Sequence, residues 1–279
     1  MLFATFRLGV ILFFRSIGNL VFYRSKKRKP IALNNINLCF PVKNKKDKKR
    51  NIKYLKGSFI SLGHTFADFL LLRFYNKKNI DKFVRIKNLH YFDEALSLKK
   101  GVIISTAHFG SWELAAHLFA LKGFKSLILY NPIKSPQWLE AFIKNNREVS
   151  GNVLISKKNS LLNVYKKIMR GGIVTIISDQ NCTPGDGLRA PLFGHDVWTH
   201  SAFIKLSLKT GAPIVPGFIF TKGLQGYEIE AFKPLYPQDF VNLKDPEFQM
   251  ACASNKILEK VICKAPEQWM WQHRRFKDL

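Results

Sequence analysis

The stretch of residues 103–119 reads IISTAHFGSWELAAHLF and carries the clearest indication of the fold class. Its first part belongs to a continuous apolar run, GVIIST at 101–106, which is typical of a strand buried on both faces, and its second part has helical spacing. Short apolar runs alternate with helical segments over most of the remaining chain. This alternation predicts an α/β fold, in which a mostly parallel sheet carries helices on both faces.

The same periodicities predict the other elements of this α/β region. The predicted strands are 101–106, 126–130, 152–156, 171–178, 212–220 and 227–235. The predicted helices are 113–123, 136–149, 161–169, 201–209 and 246–264. Ahead of them, a lysine-rich run at 43–53 leads into residues 54–75, whose spacing predicts a long helix or a pair of helices.

The N-terminal segment is mostly apolar from Leu8 to Tyr23 and is interrupted by Arg15. A helix of this length would be about 24 Å long, shorter than a hydrocarbon core of ~30 Å. A basic cluster follows at 24–29, where it would meet anionic headgroups. We expect a membrane-associated helix and basic cluster over 1–29, either lying in the interface or forming a short tilted span, and one domain over 30–279. The alternative is an amphipathic helix packed on the domain's own core.

Charge and composition narrow the function. The chain has 45 Lys and Arg against 19 Asp and Glu, which gives a net charge of +26. This charge indicates a polyanionic partner, which could be nucleic acid, an anionic membrane, a phosphorylated substrate or an acidic protein. Its 47% apolar content excludes intrinsic disorder. The four cysteines show no CxxC spacing, which argues against a disulfide scaffold and a zinc site and fits a reducing compartment. We therefore predict no metal.

The chemistry is expected at His108, which follows the strand at 101–106, and at Glu113, which begins the next helix. Open α/β sheets place their reactive groups beyond the carboxyl ends of the strands. On one continuous helix the two side chains would lie about 140° apart, but a loop that bends at Gly110 allows them to pair. A histidine oriented by a carboxylate is a general base. With no nucleophile motif in the chain, this base would activate a substrate hydroxyl directly, without an acyl-enzyme.

Several motifs together resemble a known family. They are NLCFP (37–41), the H-x-x-x-x-E of His108 and Glu113, APLFG (190–194), TGAPIVP (210–216) and PEQWMWQHRRFK (266–277). In this order they resemble the bacterial lipid A biosynthesis acyltransferases, the late lauroyl and myristoyl transferases, over almost the whole chain. The C-terminal block and NLCFP are specific to that family, whereas the histidine–acid motif is shared with other glycerolipid acyltransferases.

The resemblance implies an O-acyltransferase at the cytoplasmic face of the inner membrane, with an acyltransferase domain over 30–279. It would move a fatty acyl chain from acyl carrier protein to a hydroxyl of a lipid A precursor in lipopolysaccharide or lipooligosaccharide biosynthesis, with no cofactor beyond the acyl thioester. By position, His108 is the general base and Glu113 its partner. Arg147 would stabilise the oxyanion or bind substrate. Asp179, in SDQ, matches an acid position with a supporting role, although the following NCTPGDG departs from the family's usual pattern.

Two alternatives stay open at this point. The same histidine–acid pair could act on a lysophospholipid or another glycolipid acceptor. The charge also permits a basic nucleic-acid-binding protein, although the chain has no helix-turn-helix, RNP or zinc signature. The apolar N-terminal segment favours an anionic membrane, a lipid A precursor and acyl carrier protein as partners, and not nucleic acid.

Overall fold

The computed structural model describes residues 2–133, 135–157 and 160–278. A seven-stranded sheet has the order β1-β9-β8-β2-β5-β3-β4, and β6 pairs with β7 in a separate hairpin. The strands are β1 (Val84–Lys87), β2 (Val102–Thr106), β3 (Ser126–Tyr130), β4 (Val153–Ser156), β5 (Ile173–Ile177), β6 (Gly187–Leu192), β7 (His195–His200), β8 (Ile214–Lys222) and β9 (Gly226–Ala231). The helices are α1 (Leu2–Arg24), α2 (Arg28–Cys39), α3 (Lys45–Leu71), α4 (His90–Ser97), α5 (Trp112–Leu121), α6 (Gln137–Glu148), α7 (Leu161–Met169), α8 (Ala202–Thr210) and α9 (Pro246–Lys264).

The α/β fold is confirmed. Within the seven-stranded sheet, β8 and β9 pair antiparallel and the other neighbours pair parallel. Residues 54–71 continue one long helix, α3, which starts in the lysine-rich run. Asn44 caps that helix, because its side chain accepts a hydrogen bond from the Asp47 amide at 3.0 Å. The final helix has the predicted bounds, 246–264.

Three parts of the architecture do not appear in the sequence-based prediction. One is α2, a second is the β1–α4 unit, and the third is the β6–β7 hairpin, which occupies the region expected to be a loop. The hairpin contains Pro191 and charged residues between its apolar ones, and its buried and more exposed side chains tend to alternate. It therefore lacks the continuous apolar run that is typical of the central strands.

Helix α1 is longer than expected, since it begins at Leu2 and not near Leu8. Its 23 residues span about 35 Å, so the predicted length of about 24 Å is wrong. Among the described helices, it has the length and composition needed to cross a membrane, a test that core helices and signal sequences also pass. Most of its large apolar side chains are exposed, among them Leu2, Phe6, Leu12, Phe13, Leu20 and Val21.

The opposite side of α1 packs against α3 with very close backbones. A Cβ at Gly18 would lie 2.4 Å from the Phe59 carbonyl oxygen, and one at Gly63 would lie 2.2 Å from the Phe14 carbonyl oxygen. A larger residue at either position would therefore force the helices apart. The side of α1 that carries Arg7, Ile11, Gly18 and Phe22 is buried against the protein, while most of its other large apolar side chains form a free apolar side.

Arg7 fixes the first turns of α1 to the sheet. Its side chain is buried and donates to the Tyr75 hydroxyl (2.7 Å), the Leu224 carbonyl (2.9 Å) and the Tyr227 hydroxyl (2.9 Å). Tyr227 in turn donates to Asp68, which also accepts a hydrogen bond from Ser111. We call these five side chains the Asp68 cluster: Arg7, Asp68, Tyr75, Ser111 and Tyr227. It joins α1 to the loop that precedes α5.

Candidate active site

The site lies at the carboxyl edge of the central strands. In the parallel pair formed by β2 and β5, Thr106 and Ile177 are register partners at the strand ends. His108 and Asp179 each lie two residues further along the chain, so the sheet brings them side by side. This is the position at which open α/β sheets place their functional groups.

His108 and Asp179 form a hydrogen-bonded pair. The Nδ1 atom of His108 lies 2.8 Å from Asp179 Oδ1, and the His108 backbone N–H donates to Oδ2 at 3.1 Å. The indole N–H of Trp269 also donates to Oδ2, at 2.8 Å. Asp179 is buried, and burial acts to raise the pKa of its carboxyl group, but His108 and these hydrogen bonds outweigh burial and lower that pKa below its ordinary value.

The ionised carboxylate of Asp179 assigns the histidine tautomer. Because a carboxylate only accepts, Nδ1 of His108 carries the proton and donates it, so that Nε2 is the acceptor nitrogen of the neutral ring. No hydrogen-bond partner of Nε2 occurs among the described residues. The imidazole side chain is 20% exposed and lines the cavity described below. The pair therefore presents a basic nitrogen to the space where a substrate would bind.

The loop that carries His108 is held from both sides. Phe109 forms an antiparallel bridge with Trp269, the Met270 amide donates to the His108 carbonyl (3.0 Å) and the Gly110 amide donates to the Gln268 carbonyl (2.9 Å). Gly110 has φ +54°, and a Cβ there would lie 2.0 Å from the Ile219 carbonyl oxygen, so only glycine fits. The C-terminal segment thus sets the direction of His108.

The predicted pairing of His108 with Glu113 is wrong in this structure. Glu113 lies in the first turn of α5, as expected, but its carboxylate is bound by Arg147 from α6, whose Nε donates to Oε2 at 2.8 Å and whose Nη2 donates to Oε1. Such a bidentate ion pair holds the carboxylate firmly. The bend at Gly110 turns His108 toward β5, where Asp179 takes the role expected of Glu113.

Glu113 and Arg147 still belong to the site. Both line the same cavity as His108, and Trp112 packs edge-on against the His108 ring at 5.2 Å between centroids. Burial acts to lower the pKa of Arg147, but the Glu113 carboxylate outweighs it and raises that pKa above its ordinary value, so the guanidinium stays charged. Two of its five N–H groups bind Glu113. All four residues selected from the sequence therefore border the site, in two pairs.

The cavity extends from this edge into the protein between the sheet and α5. Its volume is about 260 Å³. Its lining includes polar side chains, among them His108, Glu113, Ser126, Tyr130, Arg147, Thr175 and His200. The lining also includes an apolar set made of Ile104, Ala115, Ala116, Phe119, Ile128, Leu129, Ile176 and Ile177. A ligand with an apolar chain and a polar group near His108 matches this distribution.

Some site residues carried no sequence signal for their role. Trp269 reaches Asp179 across 90 residues of sequence, and the C-terminal block PEQWMWQHRRFK marked it only through the resemblance. Of the two histidines that flank Trp198, His200 lines the cavity, whereas His195 lies beside the Leu38 carbonyl, 3.3 Å away. Across residues 2–133, 135–157 and 160–278, no group of three or more His, Cys, Asp or Glu side chains is placed to hold a metal ion.

Comparison with known proteins identifies the family of this chain. Residues 9–278 match the family described as bacterial lipid A biosynthesis acyltransferase. The chain is similar to the lipid A biosynthesis lauroyltransferase of Escherichia coli K12, with 27% identity over 94% of this chain and 83% of that protein. It is similar to that organism's lipid A biosynthesis palmitoleoyltransferase (27% identity, 90% of this chain, 79% of that protein) and to a lipid A biosynthesis acyltransferase of Haemophilus influenzae (26%, 90% and 78%). The chain belongs to the bacterial lipid A biosynthesis acyltransferase family.

Proposed function

We propose that this protein transfers a fatty acyl chain from the thioester of acyl carrier protein to a hydroxyl group of a lipid A precursor. Family membership supports the reaction class and the acceptor. The observation that carries the proposal is the His108–Asp179 pair, whose free Nε2 borders a cavity with a large apolar lining.

In the proposed reaction, His108 Nε2 accepts the proton of the acceptor hydroxyl as its oxygen attacks the thioester carbonyl carbon. The new C–O bond forms and the C–S bond breaks, and the proton passes from the imidazolium to the departing thiolate. Asp179 holds the ring and stabilises the imidazolium. The attack is direct, because none of the four cysteines lines the cavity and no hydroxyl side chain among the described residues hydrogen-bonds His108.

Arg147 is proposed to stabilise the developing oxyanion or to bind a substrate oxygen. Its guanidinium borders the cavity, is charged, and has N–H groups left after binding Glu113. In this arrangement Glu113 acts through Arg147, since it fixes the direction of the guanidinium. A preorganised donor of this kind contributes roughly 10²–10³ to kcat where it contacts the oxyanion.

Charge and the N-terminal helix support a location on the cytoplasmic face of the inner membrane. The exposed apolar side of α1 suits contact with lipid, and the following basic residues Arg24, Lys26, Lys27 and Arg28 are exposed and suit anionic headgroups. A net charge of +26 also complements a phosphorylated acceptor and an acidic carrier protein.

The experiment is acyl transfer by purified full-length protein in lipid, with acyl-acyl carrier protein and an acylated, phosphorylated glucosamine disaccharide as substrates. Mass spectrometry of the product should show one added acyl group. In parallel, lipid A from a deletion strain should lack one acyl group, and complementation should restore it. Transfer to a lysophospholipid with none to the disaccharide would contradict the proposed acceptor and favour the alternative one.

A further inference from the structure

A second apolar space, which we call the α3–α6 groove, lies next to the cavity. Its volume is about 270 Å³. The side chains that belong to it alone come from α3 and α6: Leu62, Thr65, Phe66, Phe69 and Ile143. Trp112, Glu113 and Arg147 line both the groove and the cavity. The Glu113–Arg147 ion pair thus stands where the two spaces meet, beside His108.

The lining of the groove selects a hydrocarbon chain. Its one hydroxyl, Thr65 Oγ1, already bonds to the carbonyls of Ser61 (3.0 Å) and Gly110 (2.8 Å). Glu113 and Arg147 neutralise each other at the inner end. The rest of the lining is apolar, so a polar ligand would lose its hydration there without gaining partners. An apolar chain would instead bury surface that water now covers.

The groove is continuous with the free apolar side of α1. Phe66, which is 52% exposed at the groove, packs against Phe14 of α1 with ring centroids 5.1 Å apart. On the other side, Phe69 contacts Phe142 of α6, which is itself exposed. Exposed Trp138 adds to the apolar surface of α6. Any lipid surface that receives α1 therefore also faces the opening of the groove.

We propose that the α3–α6 groove holds an acyl chain of the lipid acceptor, while the cavity between the sheet and α5 holds the chain of the donor. This inference rests on the proposed function. The two chains enter from different sides and meet at the Glu113–Arg147 pair, which places the acceptor hydroxyl beside His108. The acceptor comes from the membrane side because the groove opens next to α1, whereas the donor arrives on a soluble carrier.

The first test fills each space separately. Ile143→Trp narrows the groove, Ala116→Phe narrows the cavity, and Leu161→Trp adds the same ring at an exposed site on α7 as a control. Each buried methylene group contributes a factor of about four to affinity. If the indole ring of Ile143→Trp excludes two or more methylene groups of the acceptor chain from the groove, the acceptor KM of this variant should rise more than tenfold. Its preference between donors of different chain length should stay as in the wild type. Ala116→Phe should shift that preference to shorter donors.

Two results would overturn the assignment. A changed donor preference in Ile143→Trp would place the donor chain in the groove, and an unchanged acceptor KM would show that no acceptor chain binds there. If the wild type itself transfers nothing to the disaccharide, the proposed function fails and the variants are not needed to show it.

A second test is independent of turnover. In Ile143→Cys, alkylation by N-ethylmaleimide is followed by peptide mass spectrometry, with exposed Cys263 as the internal reference. The probe is the acylated, phosphorylated disaccharide in vesicles of phosphatidylethanolamine and phosphatidylglycerol. It should slow the alkylation of residue 143 and not that of Cys263. Equal rates with and without the disaccharide would contradict the proposal.

Discussion

Two carboxylates are buried in polar clusters of this protein, and they differ in what their partners do. Asp179 accepts from His108 and Trp269, and the histidine still offers a free Nε2 to a cavity. Asp68 accepts from Ser111 and Tyr227, and the Tyr227 hydroxyl also accepts from Arg7. Asp68 lines none of the cavities described above. A buried carboxylate marks a reactive site when one of its partners keeps an unused polar atom that faces open space.

The electrostatics of the two clusters also differ. Burial raises the pKa of Asp68 to about 6, although hydrogen bonds from Ser111 and Tyr227 and the charge of Arg7 oppose it. At Asp179 the balance is reversed, and the pKa is lowered. The active-site carboxylate therefore stays ionised at neutral and mildly acidic pH, whereas the structural one takes up a proton near pH 6.

The largest effect is expected at the reactive cluster. His108→Ala should lower kcat by ~10²–10⁴-fold, since it removes the proposed general base, and should leave the fold intact. Acyl transfer from acyl carrier protein to the disaccharide, measured by mass spectrometry, checks this. His90→Ala, at an exposed histidine of α4, is the matched control. Transfer at the wild-type rate by the His108 variant would remove the basis for the proposed mechanism.

At the structural cluster the loss should appear in stability. Arg7→Met removes a buried guanidinium that serves three acceptors, and should lower the free energy of unfolding by about 3–5 kcal/mol. Chemical denaturation monitored by tryptophan fluorescence measures it. Arg24→Met, at the exposed end of the same helix, should change little. Equal denaturation midpoints for Arg7→Met and Arg24→Met would mean that the Asp68 cluster does not hold α1 in place.

The two carboxylates should give stability slopes of opposite sign with pH. The pKa of Asp68 is higher in the folded protein than its ordinary value of 3.8, so protonation of Asp68 stabilises the fold. This contribution to the free energy of unfolding is complete below pH 3.8 and is lost as the pH rises through about 6, a change on the order of 3 kcal/mol. Asp68→Asn should abolish that decline between pH 4 and pH 7, whereas Asp93→Asn, at an exposed site, should keep it. The Asp179 contribution is instead lost at acidic pH, as the carboxylate becomes protonated. A decline that persists in Asp68→Asn would assign the titration to another group.

The smallest expected effect separates the two hydrogen-bonded pairs of the site. In double-mutant cycles on kcat, Glu113→Gln and Arg147→Met should couple by about 1–3 kcal/mol, because the two side chains bind each other. Glu113→Gln and Asp179→Asn should be close to additive. Strong coupling between Glu113 and Asp179, with none between Glu113 and Arg147, would restore the pairing that the sequence suggested.

The sequence was sufficient to locate His108, because a fully apolar strand followed by a polar residue identifies the reactive edge of an α/β sheet. It was not sufficient to select the carboxylate. Glu113 is near in sequence, whereas Asp179 becomes a neighbour only because β5 lies beside β2 in register, and strand order is a long-range property. The SDQ at the end of a predicted strand was the available signal, since it places an acid at the same sheet edge.

The N-terminal helix illustrates a different limit. Its apolar side was visible in the sequence, and so were its small and polar residues, but their partners were not. Gly18 packs against α3, and Arg7 binds groups more than 60 residues away. Helical periodicity shows which residues share a side; it does not show whether protein or lipid covers that side.

The position of the Arg7 partners has a consequence for biogenesis. Arg7 leaves the ribosome well before its acceptors at Leu224 and Tyr227, which follow 217 and 220 residues later. At about 5–20 residues per second, the interval is roughly 10–45 s. During that time Arg7 lacks these two acceptors, and the apolar side of α1 is available to a nascent-chain receptor or a bilayer. Membrane contact can therefore precede completion of the sheet, and the last strand, β9, then docks onto a helix that is already in place.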